Sequence, residues 1–121
     1  MTEYVKVLVI DDSPFISKAV RKAVEPEGFE VVGQAFNGQE GLEMIRQYQP
    51  EVIILDVTMP VMDGLETAEQ IYRKNPNAKV IMLSAMGDEK LVASAKRIGV
   101  KCFLNKPFKA EEMVATIKGL I

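Results

Sequence analysis

The strongest constraint on the fold of this 121-residue chain is a set of four short apolar runs. They are Val7-Leu8-Val9-Ile10, Val52-Ile53-Ile54-Leu55, Val80-Ile81-Met82-Leu83 and Cys102-Phe103-Leu104. Each is rich in β-branched or aromatic residues and bounded by polar or turn residues. Such runs fit strands buried on both faces, the habit of parallel sheets. A fifth strand is expected over residues 30–35.

The intervening segments carry helical spacing. Phe15, Ile16, Ala19, Val20, Ala23 and Val24 fall on one face of a 3.6-residue helix. Shorter stripes follow at Leu42, Ile45 and Tyr48, then Leu65, Ala68, Ile71 and Tyr72, then Leu91, Val92, Ala95 and Ile98. Met113, Val114, Ile117 and Ile121 close the series. Ser13-Pro14 fits an N-cap followed by proline at the first helical position, and Gly28, Pro76 and Gly99 stand where helices should stop. The order is strand–helix five times over. Right-handed crossovers then give a parallel sheet with helices on both faces. The flavodoxin-like strand order 2-1-3-4-5 is expected, with ligands beyond the carboxyl ends of the strands. The whole of residues 1–121 reads as one domain, with no linker, no internal repeat and no room for an output domain.

Composition removes whole classes of function. Fifteen basic residues against seventeen acidic ones leave a net charge of −2, which gives no pull toward nucleic acid or anionic lipid. No apolar run approaches the roughly twenty residues of a membrane span, and the start, Met1 to Tyr4, lacks the basic and apolar regions of a signal peptide. The single cysteine, Cys102, cannot form an internal disulfide and reads as a buried thiol in a reducing cytoplasm. The seven methionines read as core filling. There is no histidine. A Ser-His-Asp triad, a histidine-based zinc site and a phosphohistidine donor are therefore all excluded.

What remains collects at one edge. The first strand ends in Asp11-Asp12, the third in Asp56, the fourth in Ser84, and the fifth runs into Lys106-Pro107. Taken singly, these are ordinary caps, turn residues and a solvated lysine. The expected topology places them together, where three carboxylates repel unless a cation neutralises them. Mg2+ fits such oxygen ligands. The set has the parts for phosphoryl transfer onto a carboxylate: Asp56 as nucleophile, Asp11 and Asp12 holding Mg2+, Lys106 as fixed positive charge, and Ser84 as a hydroxyl donor to the product.

At these residues the chain resembles the receiver domains of two-component response regulators, along essentially its whole length. The resemblance rests on Val9-Ile10-Asp11-Asp12-Ser13, on Leu55-Asp56-Val57-Thr58-Met59-Pro60-Val61-Met62-Asp63-Gly64, on Leu83-Ser84-Ala85 and on Asn105-Lys106-Pro107-Phe108. A free-standing domain of this kind is most similar to the CheY-like chemotaxis receivers. The resemblance implies that Asp56 is the phosphoacceptor, Asp12 a direct Mg2+ ligand and Asp11 one acting mainly through water. It implies that the Thr58 carbonyl binds the metal while its side chain tunes dephosphorylation. Ser84 and Phe103 match the hydroxyl and aromatic switch positions, Lys106 the lysine that contacts the phosphoryl group, and Lys106-Pro107 a cis peptide bond. Two residues depart from the pattern. Phe103 lacks the hydroxyl of the tyrosine often found there, and Asn105 stands where an apolar residue is common. Gly64 reads first as a turn glycine supporting the loop that carries Asp56.

The resemblance implies a sensor histidine kinase as phosphodonor, an output protein such as a flagellar motor switch, a phosphatase that resets the switch, and a cytoplasmic monomer. The face around Lys90, Lys101, Phe103 and Lys109 is the expected output surface. Alternatives within the family are a phosphorelay intermediate or a receiver excised from a longer regulator. An aspartyl-nucleophile phosphatase would need its Asp-x-Asp motif after the first strand, where this chain has adjacent aspartates. A flavodoxin would need a phosphate loop there, which Asp11 and Asp12 would repel. A binding module without chemistry would not need the acidic cluster.

Overall fold

The computed structural model describes residues 4–121; Met1, Thr2 and Glu3, part of the start read above as carrying no leader, lie outside that range. Five strands, β1 (Val5–Ile10), β2 (Phe29–Ala35), β3 (Val52–Asp56), β4 (Val80–Ser84) and β5 (Cys102–Asn105), form one sheet in the order β2-β1-β3-β4-β5, parallel throughout. Five helices separate or follow them: α1 (Pro14–Val24), α2 (Gly38–Tyr48), α3 (Gly64–Lys74), α4 (Glu89–Ile98) and α5 (Ala110–Leu120). A single 3-10 turn at Glu25–Glu27 links α1 to β2 and ends on Gly28 at φ +91°.

The apolar runs are buried on both sides because successive side chains alternate across the sheet. Val7 and Val9 of β1 pack with Val20 and Val24 of α1 and with Met113 and Ile117 of α5. Leu8 and Ile10, one residue out of phase, pack with Ala68 and Ile71 of α3 and Ala95 of α4. Every residue of β3 and β4 is buried.

Helix α1 keeps Ile16, Val20, Ala23 and Val24 of the expected face against the core and departs from it at two positions. Phe15 is 78% exposed and Ala19 is also exposed, while Ser17 is buried with Val20, Ala23 and Val24. Ser17, Val20 and Val24 share the face that meets the sheet; Phe15 and Ala19 lie outside it. Ser13 does occupy the N-cap with Pro14 behind it, but its side chain makes no capping bond. Its amide donates instead to Asp11 Oδ1 at 2.9 Å. Strand β2 begins at Phe29, a residue earlier than expected, and carries an irregularity: Val7 pairs with Val31 and Leu8 with Gly33, so Val32 is skipped.

Substituting Ile117, fully buried between α5 and the sheet, by Ala should cost about 2–5 kcal/mol. Phe15→Ala should stay within about 0.5 kcal/mol of wild type. Urea unfolding followed by far-UV circular dichroism measures both, since the chain has no tryptophan.

Candidate functional site

The parallel topology brings the carboxyl ends of β1, β3, β4 and β5 to one edge, and short ladder-like bonds carry their order into the loops. Asp11 N donates to Ala35 O at 2.9 Å, Val57 N to Leu83 O at 3.1 Å, and Lys106 N to Ser84 O at 2.7 Å. Asp11, Asp12, Asp56, Ser84 and Lys106 all lie at this edge. One carboxylate oxygen from each of Asp11, Asp12 and Asp56 falls within 4.8 Å of the others. Asp11 is fully buried, Asp56 is 5% exposed, and Asp12 faces solvent.

Lys106 is the counter-charge. Its Nζ stands 2.9 Å from Asp11 Oδ2 and 3.2 Å from Asp56 Oδ1. Asp11 Oδ2 is buried, and the Lys106 ammonium is the charge that faces it. The three carboxylates, with a single ammonium against them, fit a hard divalent cation held by Asp11, Asp12 and Asp56. Burial and the neighbouring Asp11 charge raise the Asp56 pKa to about 6, against the opposing pull of Lys106. Burial alone would lower the Lys106 pKa, but its pairing with Asp11 and Asp56 holds it above the ordinary lysine value.

The loop after β3 is shaped by backbone contacts. Thr58 is exposed, and its amide donates to Asp56 Oδ1 at 3.4 Å. Met62 N donates to Pro60 O at 2.7 Å across Val61, whose φ of +67° is strained for a β-branched residue. Gly64 is not the turn glycine expected: it is the first residue of α3, and a Cβ there would collide with Asp56 O. Its role is close approach, sealed by Gly64 N donating to Val57 O at 3.0 Å. Asp63 caps α3 by accepting from Glu66 N at 2.9 Å.

Ser84 and Phe103 lie on neighbouring strands. Ser84 is 5% exposed, and its Oγ donates to Asn105 Oδ1 at 3.3 Å. Phe103 is half-buried, packs on the core beneath α4, and has Lys96 Nζ 5.7 Å from its ring centre. A groove of about 610 Å³ between α4 and β5 is bordered by Ser84, Met86, Val92, Lys96, Phe103 and Lys106. Lys90, Lys101 and Lys109 are exposed. The Lys106-Pro107 bond is cis, as the resemblance implied.

One contributor escaped the sequence, and Asn105 was noticed there without its role. Gln34 of β2 donates from Nε2 to Asp11 O and Ser13 O, both at 3.2 Å, and so pins the loop that carries the acidic pair. Asn105 holds Ser84. The available signal was a polar side chain at the carboxyl end of an otherwise apolar strand.

The raised Asp56 pKa has a defined sign in metal-free protein. Below the ordinary value of 3.8 both native and unfolded states carry the proton, and stability is unaffected. Between 3.8 and about 6 the native state keeps the proton that the unfolded chain has lost, so the Asp56 contribution to stability falls as pH rises. Above that range the full deficit remains, on the order of 2–3 kcal/mol. Asp56→Asn should therefore be close to wild type near pH 4 and more stable by that order at pH 7.5. Urea midpoints in chelator at the two pH values measure the difference.

The model of the response regulator receiver domain matches residues 7–118. The chain is 42% identical over 113 residues to the chemotaxis protein CheY of Listeria monocytogenes, covering 93% of this chain and 95% of that one. It superposes with a TM-score of 0.89 on CheY4 of Vibrio cholerae, at 30% identity over 98% of this chain and all of the other. It also resembles CheY of Borrelia burgdorferi, solved as a complex with CheX, BeF3 and Mg, with a TM-score of 0.87 and 32% identity, covering 95% of this chain and 87% of that one. Receiver domains are regulatory modules that bind Mg2+ in an acidic pocket. By its sequence, its strand order and the company its aspartates keep, this chain belongs to the response regulator receiver family.

Proposed function

We propose that the chain is a phospho-accepting switch of two-component signalling, working in chemotaxis, with Asp56 as the phosphorylated residue. The observation that carries this reading is the buried Asp56 carboxylate, paired with Lys106 and grouped with Asp11 and Asp12. With a pKa of about 6, Asp56 is ionised at neutral pH and able to attack. The donor proposed is the phosphohistidine of a sensor kinase, which another protein has to supply because this chain has no histidine. An Asp56 carboxylate oxygen forms the new bond to phosphorus. The phosphorus–nitrogen bond breaks, and its electron pair leaves with the imidazole. Lys106 and the Ser84 hydroxyl then hold the phosphoryl oxygens, and exposed Thr58 stands where water must approach to reverse the step. Mg2+ would sit on Asp11, Asp12, Asp56 and the Thr58 carbonyl and would supply charge neutralisation for the transferring group.

The readout on this proposal is docking on another protein. The surface of α4, β5 and α5, with Phe103 at its centre and Lys90, Lys101 and Lys109 around it, is offered to an output partner such as the flagellar motor switch. The sensor kinase would approach the carboxyl-end rim near α1, and a phosphatase would act at the same rim. Among the described residues no helix is long and apolar enough to cross a membrane; the setting proposed is the cytoplasm, and the acting form a monomeric receiver spanning residues 1–121.

Two experiments test this reading. Incubation with a small phosphodonor and Mg2+ should add one phosphoryl mass to wild type and none to Asp56→Asn; label kept by the variant would move the nucleophile elsewhere, Asp12 first. Saturating Mg2+ should raise the melting temperature of wild type, by about 2.7 kcal/mol of stability at a hundredfold excess over Kd. Asp12→Ala should lose most of that gain, and an equal gain in both would show that the cluster is not the Mg2+ site.

A further inference from the structure

Asn105 is the last residue of β5 and the direct register partner of Ser84, the last residue of β4. Its carboxamide accepts the only hydrogen that the Ser84 hydroxyl has to give. The engagement persists whichever end of the amide faces the hydroxyl, since a serine oxygen can also accept from the NH2 group. Lys106, the next residue, is committed to Asp11 and Asp56. In this arrangement the Ser84 hydroxyl is engaged across the sheet edge by β5.

We propose that Asn105 is a positioning residue that sets the threshold of the switch: it holds the Ser84 hydroxyl in the unphosphorylated state and must release it before Ser84 can bind a phosphoryl group on Asp56. The inference rests on the proposed role of Asp56 as phosphoacceptor. The competition has a clear direction. A hydrogen bond to a charged phosphoryl oxygen is stronger than one to a neutral amide, so the phosphoryl group takes the hydroxyl, but at a net gain reduced by the bond to Asn105. Removing the amide removes that subtraction. Affinity for a phosphoryl mimic should rise about two- to tenfold, the worth of one partly solvated hydrogen bond. Because Asn105 is exposed, its replacement leaves the core intact.

The test is a titration of the full chain with beryllofluoride in saturating Mg2+, followed by the amide resonances of Ala85 and Lys106. Wild type, Asn105→Ala, Asn105→Val, Ser84→Ala and Ser84→Ala with Asn105→Ala are compared. The expected result is a two- to tenfold lower apparent Kd for both Asn105 variants, and no effect of Asn105→Ala once Ser84 is alanine. Unchanged or weaker binding in the Asn105 variants overturns the proposal, weaker binding assigning Asn105 a direct contact with the phosphoryl group. An equal gain with and without Ser84 also overturns it, because the effect would then pass through Lys106. The bond itself is checked without mimic or metal: Ser84→Ala should shift the Asn105 side-chain amide resonance, and its failure to do so refutes the latch. Failure of wild type to bind beryllofluoride at all, with that resonance shifting as expected, would instead refute Asp56 as phosphoacceptor and remove the threshold that the latch was proposed to set.

Discussion

One lysine between two buried carboxylates is the interaction on which the rest of the site depends. Asp11 and Asp56 have oxygens within 4.8 Å of each other. At an effective dielectric constant near 20 two such charges repel by about 3–4 kcal/mol. Lys106 stands 2.9 Å from an oxygen of Asp11 and 3.2 Å from one of Asp56, so its attraction offsets the repulsion inside the pair. It cannot neutralise both. With Asp12 at the rim the cluster keeps excess negative charge, and burial first, then the Asp11 charge, raise the Asp56 pKa in the presence of the lysine. The same imbalance makes a divalent cation a natural complement, and it makes the site tense without one.

The fold serves that charge arrangement by holding its loops short and stiff. Parallel strands deliver side chains to one edge, but strand ends alone would leave the loops free. Here the backbone bonds of Asp11, Val57 and Lys106 extend the ladder beyond the sheet, and Gln34 ties down the acidic loop from the neighbouring strand. The start of α3 presses against the Asp56 carbonyl so closely that only glycine fits at position 64. Gly38, at the start of α2, has a similar duty: a Cβ there would collide with Thr67 Oγ1, and its amide donates to Met62 O at 3.1 Å. The strained turn at Val61 lies inside this braced region, where surrounding contacts can hold a conformation that an isolated peptide would abandon.

The residues differ in how readily their places could be read beforehand. The fully buried strands were legible because a run such as Val52 to Leu55 has no polar face, and a two-sided burial pattern admits few architectures. The gathering of Asp11, Asp12, Asp56, Ser84 and Lys106 followed from the topology. Helix α1 was legible as a helix and, through Ile16, Val20, Ala23 and Val24, in most of its buried face; Phe15 and Ser17 exchange the roles that hydropathy assigns them, because the sheet decides which stripe it covers. Gly64 was recognisable as special, yet close approach and turn formation leave the same residue behind. Gln34 and Asn105 act through partners distant in sequence, and their contributions depend on side-chain positions that periodicity does not encode.

Phe103 bears on where the energy of switching must come from. An aromatic ring without a hydroxyl has no hydrogen bond to exchange between two positions. What holds it in this structure is packing beneath α4 and the Lys96 ammonium 5.7 Å from its centre, an interaction worth about 0.5–1 kcal/mol at an exposed site. Shifting a population from 1:99 to 99:1 requires about 5.5 kcal/mol. The ring and its lysine therefore supply a minor share. On the proposed reading the larger share arises at Asp56, where a phosphoryl group brings new charge and strong acceptor oxygens beside Lys106 and Ser84. Phe103 then follows the β4 end rather than driving it, and the state of its ring reports the charge at the sheet edge.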